Sequence, residues 1–85
     1  MVERFRKKPV EVEAIRFTGH NDSEIAGFVG DAGYDPEDRY PSWKIRTLEG
    51  TMELRVGDWL VKGTRGEFYP VKPGPFQDTF ERIEG

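Results

Sequence analysis

The sequence predicts an α+β domain: a small, mostly antiparallel curled sheet or partly open barrel of five to six strands with one short helix. Three observations carry that expectation. Segments that alternate apolar and polar residues recur along the chain, one stretch has helical spacing, and the connections in the C-terminal half are too short for parallel crossovers.

The first strand is read from Lys8, where Pro9-Val10-Glu11-Val12-Glu13-Ala14 alternates with the period of a strand buried on one face. Ile15-Arg16-Phe17 then moves the apolar face by one position, which calls for a bulge or for a strand covered on both faces. Turn residues Gly19-His20-Asn21 follow. Asp22 or Ser23 can cap a helix with apolar positions Ile25, Ala26, Phe28 and Val29, and Gly30 fits just past its end. A helix of two turns needs tertiary packing to persist. Residues 31–41 carry Asp31, Asp35, Glu37 and Asp38 among glycine and proline, and read as an irregular acidic loop anchored by Tyr34 and Tyr40.

The second half is more regular. A two-residue turn at Glu49-Gly50 would place Leu48 opposite Thr51, Thr47 opposite Met52, Ile45 opposite Leu54 and Trp43 opposite Val56. Trp43, Ile45, Leu54 and Val56 would then point inward, with Arg46 opposite Glu53 and Lys44 opposite Arg55 on the outer face. Glutamate is a poor first residue for such a turn, so a longer loop is the alternative. Gly57-Asp58 reads as a tight corner, Trp59-Leu60-Val61 as a short apolar strand and Gly63-Thr64-Arg65-Gly66 as a second turn. Glu67-Phe68-Tyr69 leads into Pro70, which marks a strand end or a sheet edge. Lys72-Pro73-Gly74-Pro75 reads as a turn or an irregular crossing, Phe76 to Thr79 as a single helical turn, and Thr79 to Ile83 as a last strand.

Length and composition bound the function. Eighty-five residues make a single domain, 1–85, with a basic N-terminal segment (1–8, Arg4, Arg6, Lys7, Lys8) as a flexible end. The net charge of −3 argues against a protein that holds duplex DNA by neutralising phosphates. No apolar run approaches the roughly 20 residues that cross a bilayer, so no membrane association is expected. Pro9 and an alternating, acid-bearing segment follow the basic cluster where a signal peptide would need an apolar stretch, which suggests a cytoplasmic location. The absence of cysteine removes disulfides, thiolate zinc sites and a cysteine nucleophile. No metal-binding or phosphate-loop pattern occurs, and no cofactor is expected.

Catalytic constellations are thin. His20 lies beside Asp22 and Ser23, but triads assemble from distant segments, so these residues read as turn and cap. Gly63 and Gly66 are three apart with no helix after them, which fits a hairpin turn. Asp58 and Glu67 could meet across a hairpin, as any two acids in a small sheet could. The stronger pattern is cationic and aromatic: Lys44, Arg46 and Arg55 on the outer face of one hairpin, Lys62 and Arg65 on the next, and Trp59 and Tyr69 as stacking rings if exposed, though a tryptophan in so small a domain is more often core. Together they read either as an anion-binding face or as a solvated face with scattered ion pairs. Lys44 directly opposite Arg55 would want a counter-charge, which an anion could supply.

Two stretches carry a resemblance. Gly57-Asp58-Trp59-Leu60-Val61-Lys62-Gly63 followed by Gly66-Glu67-Phe68-Tyr69-Pro70 is similar to the pattern G-D-[WY]-[IL]-V-x-G-x-x-G-E-F-Y-P, continued by Lys72-Pro73, Phe76 and Thr79 to Glu81. Lys7 to Phe17 is similar to K-K-P-V-x-V-E-A-x-x-[FW]. Both resemble a family of small, uncharacterised bacteriophage and prophage proteins. This chain departs from it at Val56, where members often have proline, and at Val71 and Gly74, where they have cysteine and aspartate. The resemblance implies a phage origin and action in the cytoplasm of the bacterial host, and it carries over no catalytic residue. The expected function is that of a non-enzymatic accessory protein binding a host or phage macromolecule, as a monomer or a homo-oligomer, through the sheet edge at Pro70 or the acidic loop. Sequestering a phosphorylated nucleotide-type ligand is the alternative, and a small enzyme acting on nucleotides or nucleic acid the third.

Overall fold

A computed structural model describes residues 2–4, 10–34 and 42–83. The chain is a small α+β fold of two antiparallel three-stranded sheets that do not close into a barrel. In chain order its elements are β1 (Glu13–Arg16), α1 (Asp22–Val29), a 3-10 turn (Gly30–Ala32), β2 (Gly33–Tyr34), β3 (Ser42–Thr47), β4 (Gly50–Arg55), β5 (Trp59–Lys62), β6 (Phe68–Val71) and α2 (Pro73–Thr79). One sheet has the order β1-β5-β6 and the other β2-β3-β4. Most of the expected flexible N-terminal segment, and the acidic stretch beyond Tyr34, lie outside the described residues. The start of that stretch is more regular than expected, since Gly30–Ala32 forms the 3-10 turn and Gly33 pairs with Ile45.

The core lies between the sheets and beneath α1. Phe17, Ile25, Val29, Trp43, Ile45, Leu54 and Leu60 are buried together, with Ile15, Phe28, Ala32 and Phe68 packed against them. Phe28 of α1 meets Phe68 of β6 edge to face, ring centroids 5.6 Å apart. Asn21 does not cap α1 with its side chain, nor do Asp22 and Ser23 precede it. Asn21 Oδ1 instead accepts from the Thr18 amide (2.9 Å) and its Nδ2 donates to the Arg16 carbonyl (2.8 Å), tying the helix entrance to the end of β1. Asp22, the first helical residue, accepts a hydrogen bond from Trp43 Nε1 at 2.9 Å, which gives the buried indole its polar partner.

The β3–β4 register differs from the expected one by two residues. Trp43 pairs with Leu54, Lys44 with Glu53, Ile45 with Met52 and Thr47 with Gly50. The turn is therefore Leu48-Glu49, and Gly50, with φ 112°, takes the position after it. A primed turn at Glu49-Gly50 would force a positive φ on Glu49; in the turn observed neither Leu48 nor Glu49 has one, and Gly50 alone takes it, which glycine does freely. The Thr47 hydroxyl stitches the loop, donating to the Gly50 carbonyl (2.6 Å) and accepting from the Glu49 amide (3.1 Å). A shift of two preserves the faces, so Trp43, Ile45 and Leu54 stay buried. Val56 does not join them: it lies past β4 in the corner and is 49% exposed.

β5 is central in its sheet and covered on both faces, as its unbroken Trp59-Leu60-Val61 run requires. Leu60 enters the core. Trp59, on the other face, stacks on Phe76 of α2 at 4.3 Å with the rings nearly parallel, and Phe76 stacks in turn on Phe80 at 4.9 Å. β1 resolves its shifted pattern in the same way, with Ile15 and Phe17 against the core and Ala14 opposite Val61 on the outer face. Pro70 lies in β6, an edge strand, where a missing N–H is tolerated. The C-terminal expectation is corrected. Lys72 to Pro75 is not an irregular crossing, because α2 starts at Pro73, whose fixed φ suits a first helical position. Phe80 to Ile83 forms no strand.

Candidate functional site

The proposed cationic and aromatic residues divide among separate surfaces. Lys44, Arg46 and Arg55 share the outer face of the β2-β3-β4 sheet, as the alternation foresaw. The corrected register puts Glu53, not Arg55, opposite Lys44. The Glu53 carboxylate takes both cations, Lys44 Nζ at 3.3 Å and Arg55 Nε at 2.8 Å. The guanidinium of Arg55 and then the ammonium of Lys44 hold the Glu53 carboxyl below its ordinary 4.5. The like-charge pair that would have called for an anion therefore does not exist, since the protein supplies the counter-charge itself. Arg46 donates to the Asp31 carbonyl at 3.1 Å, linking β3 to the 3-10 turn.

One face of the Trp59 indole is taken by its stack on Phe76. Lys62 lies with its ammonium 5.9 Å from the Phe68 ring centroid, a cation over an aromatic face. His20 sits in an exposed turn with its amide bonded to the Thr18 hydroxyl. Asp58 does not meet Glu67 in any hydrogen bond. It is buried at the β4–β5 corner, where its Oδ2 accepts from the Arg55 amide at 2.9 Å, and Lys72 Nζ reaches both carboxylate oxygens at 3.1 and 3.0 Å.

Two of the proposed residues, Arg65 and Tyr69, do come together, in a groove of about 500 Å³ between the β3–β4 hairpin and the β5–β6 hairpin with its edge strand. Thr47, Leu48, Glu49 and Met52 form one side, and Thr64, Arg65, Glu67, Phe68, Tyr69 and Pro70 form the other. Leu48 at the hairpin tip is 78% exposed and Met52 42%. Tyr69 is half-buried, and burial, reinforced by the nearby Glu67 charge, pushes its hydroxyl above the usual 10. The phenol is therefore a neutral donor at physiological pH. Glu67 folds back over the turn, and a Cβ at Gly63 would overlap its carboxylate, so glycine there makes room for the acid. The other carboxylate oxygen, Oε2, is buried with no hydrogen-bond partner among the described residues.

Leu48 and Met52 were not among the residues singled out as a site, and Glu67 was read only as an acid that could meet Asp58. Leu48 carried a signal, an apolar residue beside a polar turn, but its partners lie on a different hairpin and only the tertiary fold brings them near. Among the described residues no group of three or more His, Asp or Glu side chains is placed to hold a metal ion. No described helix is long and apolar enough to cross a membrane. Compared with protein-family models, with curated proteins and with solved structures, the chain finds no match.

Proposed function

We propose that this chain is a non-enzymatic phage or prophage accessory protein that acts by binding a partner protein, and that the groove between its two hairpins is the contact surface. The observation that carries the proposal is the convergence there of exposed Leu48 and Met52 with Phe68, Tyr69, Pro70 and Arg65. Leucine and methionine left in water at a hairpin gain free energy when covered, about 25 cal/mol per Å² of apolar surface. Tyrosine, methionine and arginine around an apolar centre make up the composition typical of interface centres, with polar residues such as Thr47 and Thr64 at the rim. The phage setting, and with it action in the bacterial cytoplasm, rests on the resemblance of the 57–70 segment.

A second reading, sequestering a phosphorylated nucleotide-type ligand, is favoured by Arg65 and Tyr69 in a groove of small-molecule size, since such sites span roughly 300–1,000 Å³. Glu49 and Glu67 line the same walls and oppose a phosphate, which ranks this reading second.

Immobilised protein is expected to retain a partner from host lysate, and a Leu48→Ser/Met52→Ser variant, folded by far-UV circular dichroism, to lose most of it. Nucleoside mono- and triphosphates are expected to leave the melting midpoint unchanged, because only a ligand that binds the folded state raises it. A nucleotide that raises the midpoint of the native chain but not of Arg65→Ala would install the second reading. Capture undiminished by the double variant would remove the groove.

A further inference from the structure

The groove has a sign. Glu49 and Glu67 line it against the single guanidinium of Arg65, so its walls carry a net negative charge within an apolar surround. The two acids are not equivalent. Glu49 sits on the exposed turn, where water and salt screen it. Glu67 is held in the wall, one carboxylate oxygen against Gly63 and the other, Oε2, buried without a hydrogen bond among the described residues. A carboxylate with one oxygen removed from water and given no donor has lost part of its solvation, and a group that brings both a positive charge and N–H donors to its accessible side offsets that loss most effectively. Tyr69 lines the same groove, and its neutral hydroxyl adds no charge there.

Resting on the proposed binding role of this groove, we infer that its occupant is a basic segment of a partner protein, a Lys or Arg side chain flanked by apolar residues. The cationic head lies toward Glu67 and Glu49, and its stem and apolar neighbours cover Leu48, Met52 and Tyr69. Long cationic side chains suit such a site because their methylene stems bury on apolar surface while the head reaches a polar group. The same sign disfavours the phosphate-bearing alternatives. A nucleotide or a nucleic-acid backbone would bring negative charge against Glu67, where the wall screens it less than water would.

The test uses the full-length chain and a capped heptapeptide of alternating leucine and lysine, followed by amide NMR. Matched leucine–glutamate and leucine–glutamine peptides and adenosine monophosphate serve as comparisons. The lysine peptide is expected to shift the amides of Leu48, Met52, Glu67 and Tyr69 saturably, with the glutamate peptide and the nucleotide leaving them in place. Glu67→Gln is expected to weaken binding about tenfold, as the loss of one charge-assisted contact should. Glu49→Gln is expected to weaken it less, and added salt to weaken it in the native chain, which keeps the test open should Glu67→Gln fail to fold. Equal shifts from the lysine and glutamate peptides, or shifts that map away from the groove, would overturn the inference. So would self-association of the chain that Glu67→Gln abolishes, which would make a second copy the occupant. If the lysine peptide does nothing while lysate capture still depends on Leu48 and Met52, the charge assignment fails and the groove stands.

Discussion

Replacing Asp58 by alanine is expected to destabilise the fold by about 2–3 kcal/mol, the range for losing a hydrogen-bonded buried carboxylate. Asp58 is 3% exposed at the β4–β5 corner. Its backbone closes that corner, with its amide donating to the Arg55 carbonyl (2.9 Å) and its carbonyl accepting from the Phe17 amide (2.9 Å), while the neighbouring Gly57 amide donates to the Phe17 carbonyl (2.7 Å). Its side chain satisfies the Arg55 amide and anchors Lys72 immediately ahead of α2. The two side-chain contacts contribute unequally. Lys72 is 62% exposed and returns to water when the carboxylate is removed, so that ion pair contributes little, whereas the Arg55 amide is left without an acceptor. Asp58→Asn keeps an acceptor oxygen and is expected to cost about 1 kcal/mol, with Lys72→Ala at or below that. In a domain of this size the alanine variant should melt about 10–20 °C lower. Equal losses for Asp58→Ala and Lys72→Ala would show that the ion pair, not the corner, is what matters.

The second large effect is expected at Phe76. α2 has seven residues, too few to persist alone, and its ring contacts are the stacks of Phe76 on Trp59 and on Phe80. Phe76→Ala removes both stacks and is expected to cost about 2–3 kcal/mol, the half-buried end of the range for truncating a packed aromatic. The signature is local. The amides of Phe76 and Phe80, bonded to the carbonyls of Lys72 and Phe76 at 2.9 Å each, should lose hydrogen-exchange protection, while those of β3 and β4 keep theirs. Uniform loss of protection would mean that α2 is an integral part of the core.

Much of this fold is legible in the sequence because side-chain period and burial are directly coupled. The alternation at Trp43, Ile45 and Leu54 identifies their inner face, and a two-residue error in register leaves it intact, since a strand's side chains repeat every second residue. The register itself was misread because Glu49-Gly50 resembles a hairpin turn, and only the conformational demand on glutamate moves the turn back to Leu48-Glu49. The start of α2 was missed for a related reason. Pro73-Gly74-Pro75 looks like a break, yet proline is well suited to a first helical turn, where no internal N–H bond is lost. The resembling segment becomes readable as architecture: Asp58 is the corner, Trp59 the seat of α2, Gly63 the space for Glu67, and Phe68 part of the core. The groove was not legible, because its walls come from hairpins separated in sequence. The cationic face was legible as a face, but its charge balance depends on which residue opposes Lys44, and that followed the register.

The most direct measurement is site-specific photo-crosslinking in host lysate, with p-benzoylphenylalanine placed at Leu48 in one sample and at Thr51 in the other. Leu48 lines the groove, and Thr51 lies opposite Arg46 on the outer face of the same hairpin. A discrete protein adduct from position 48, absent from position 51 and competed away by excess unlabelled native chain, is the expected result. Adducts of equal yield from both positions, or from position 51 alone, would contradict the groove as the contact surface.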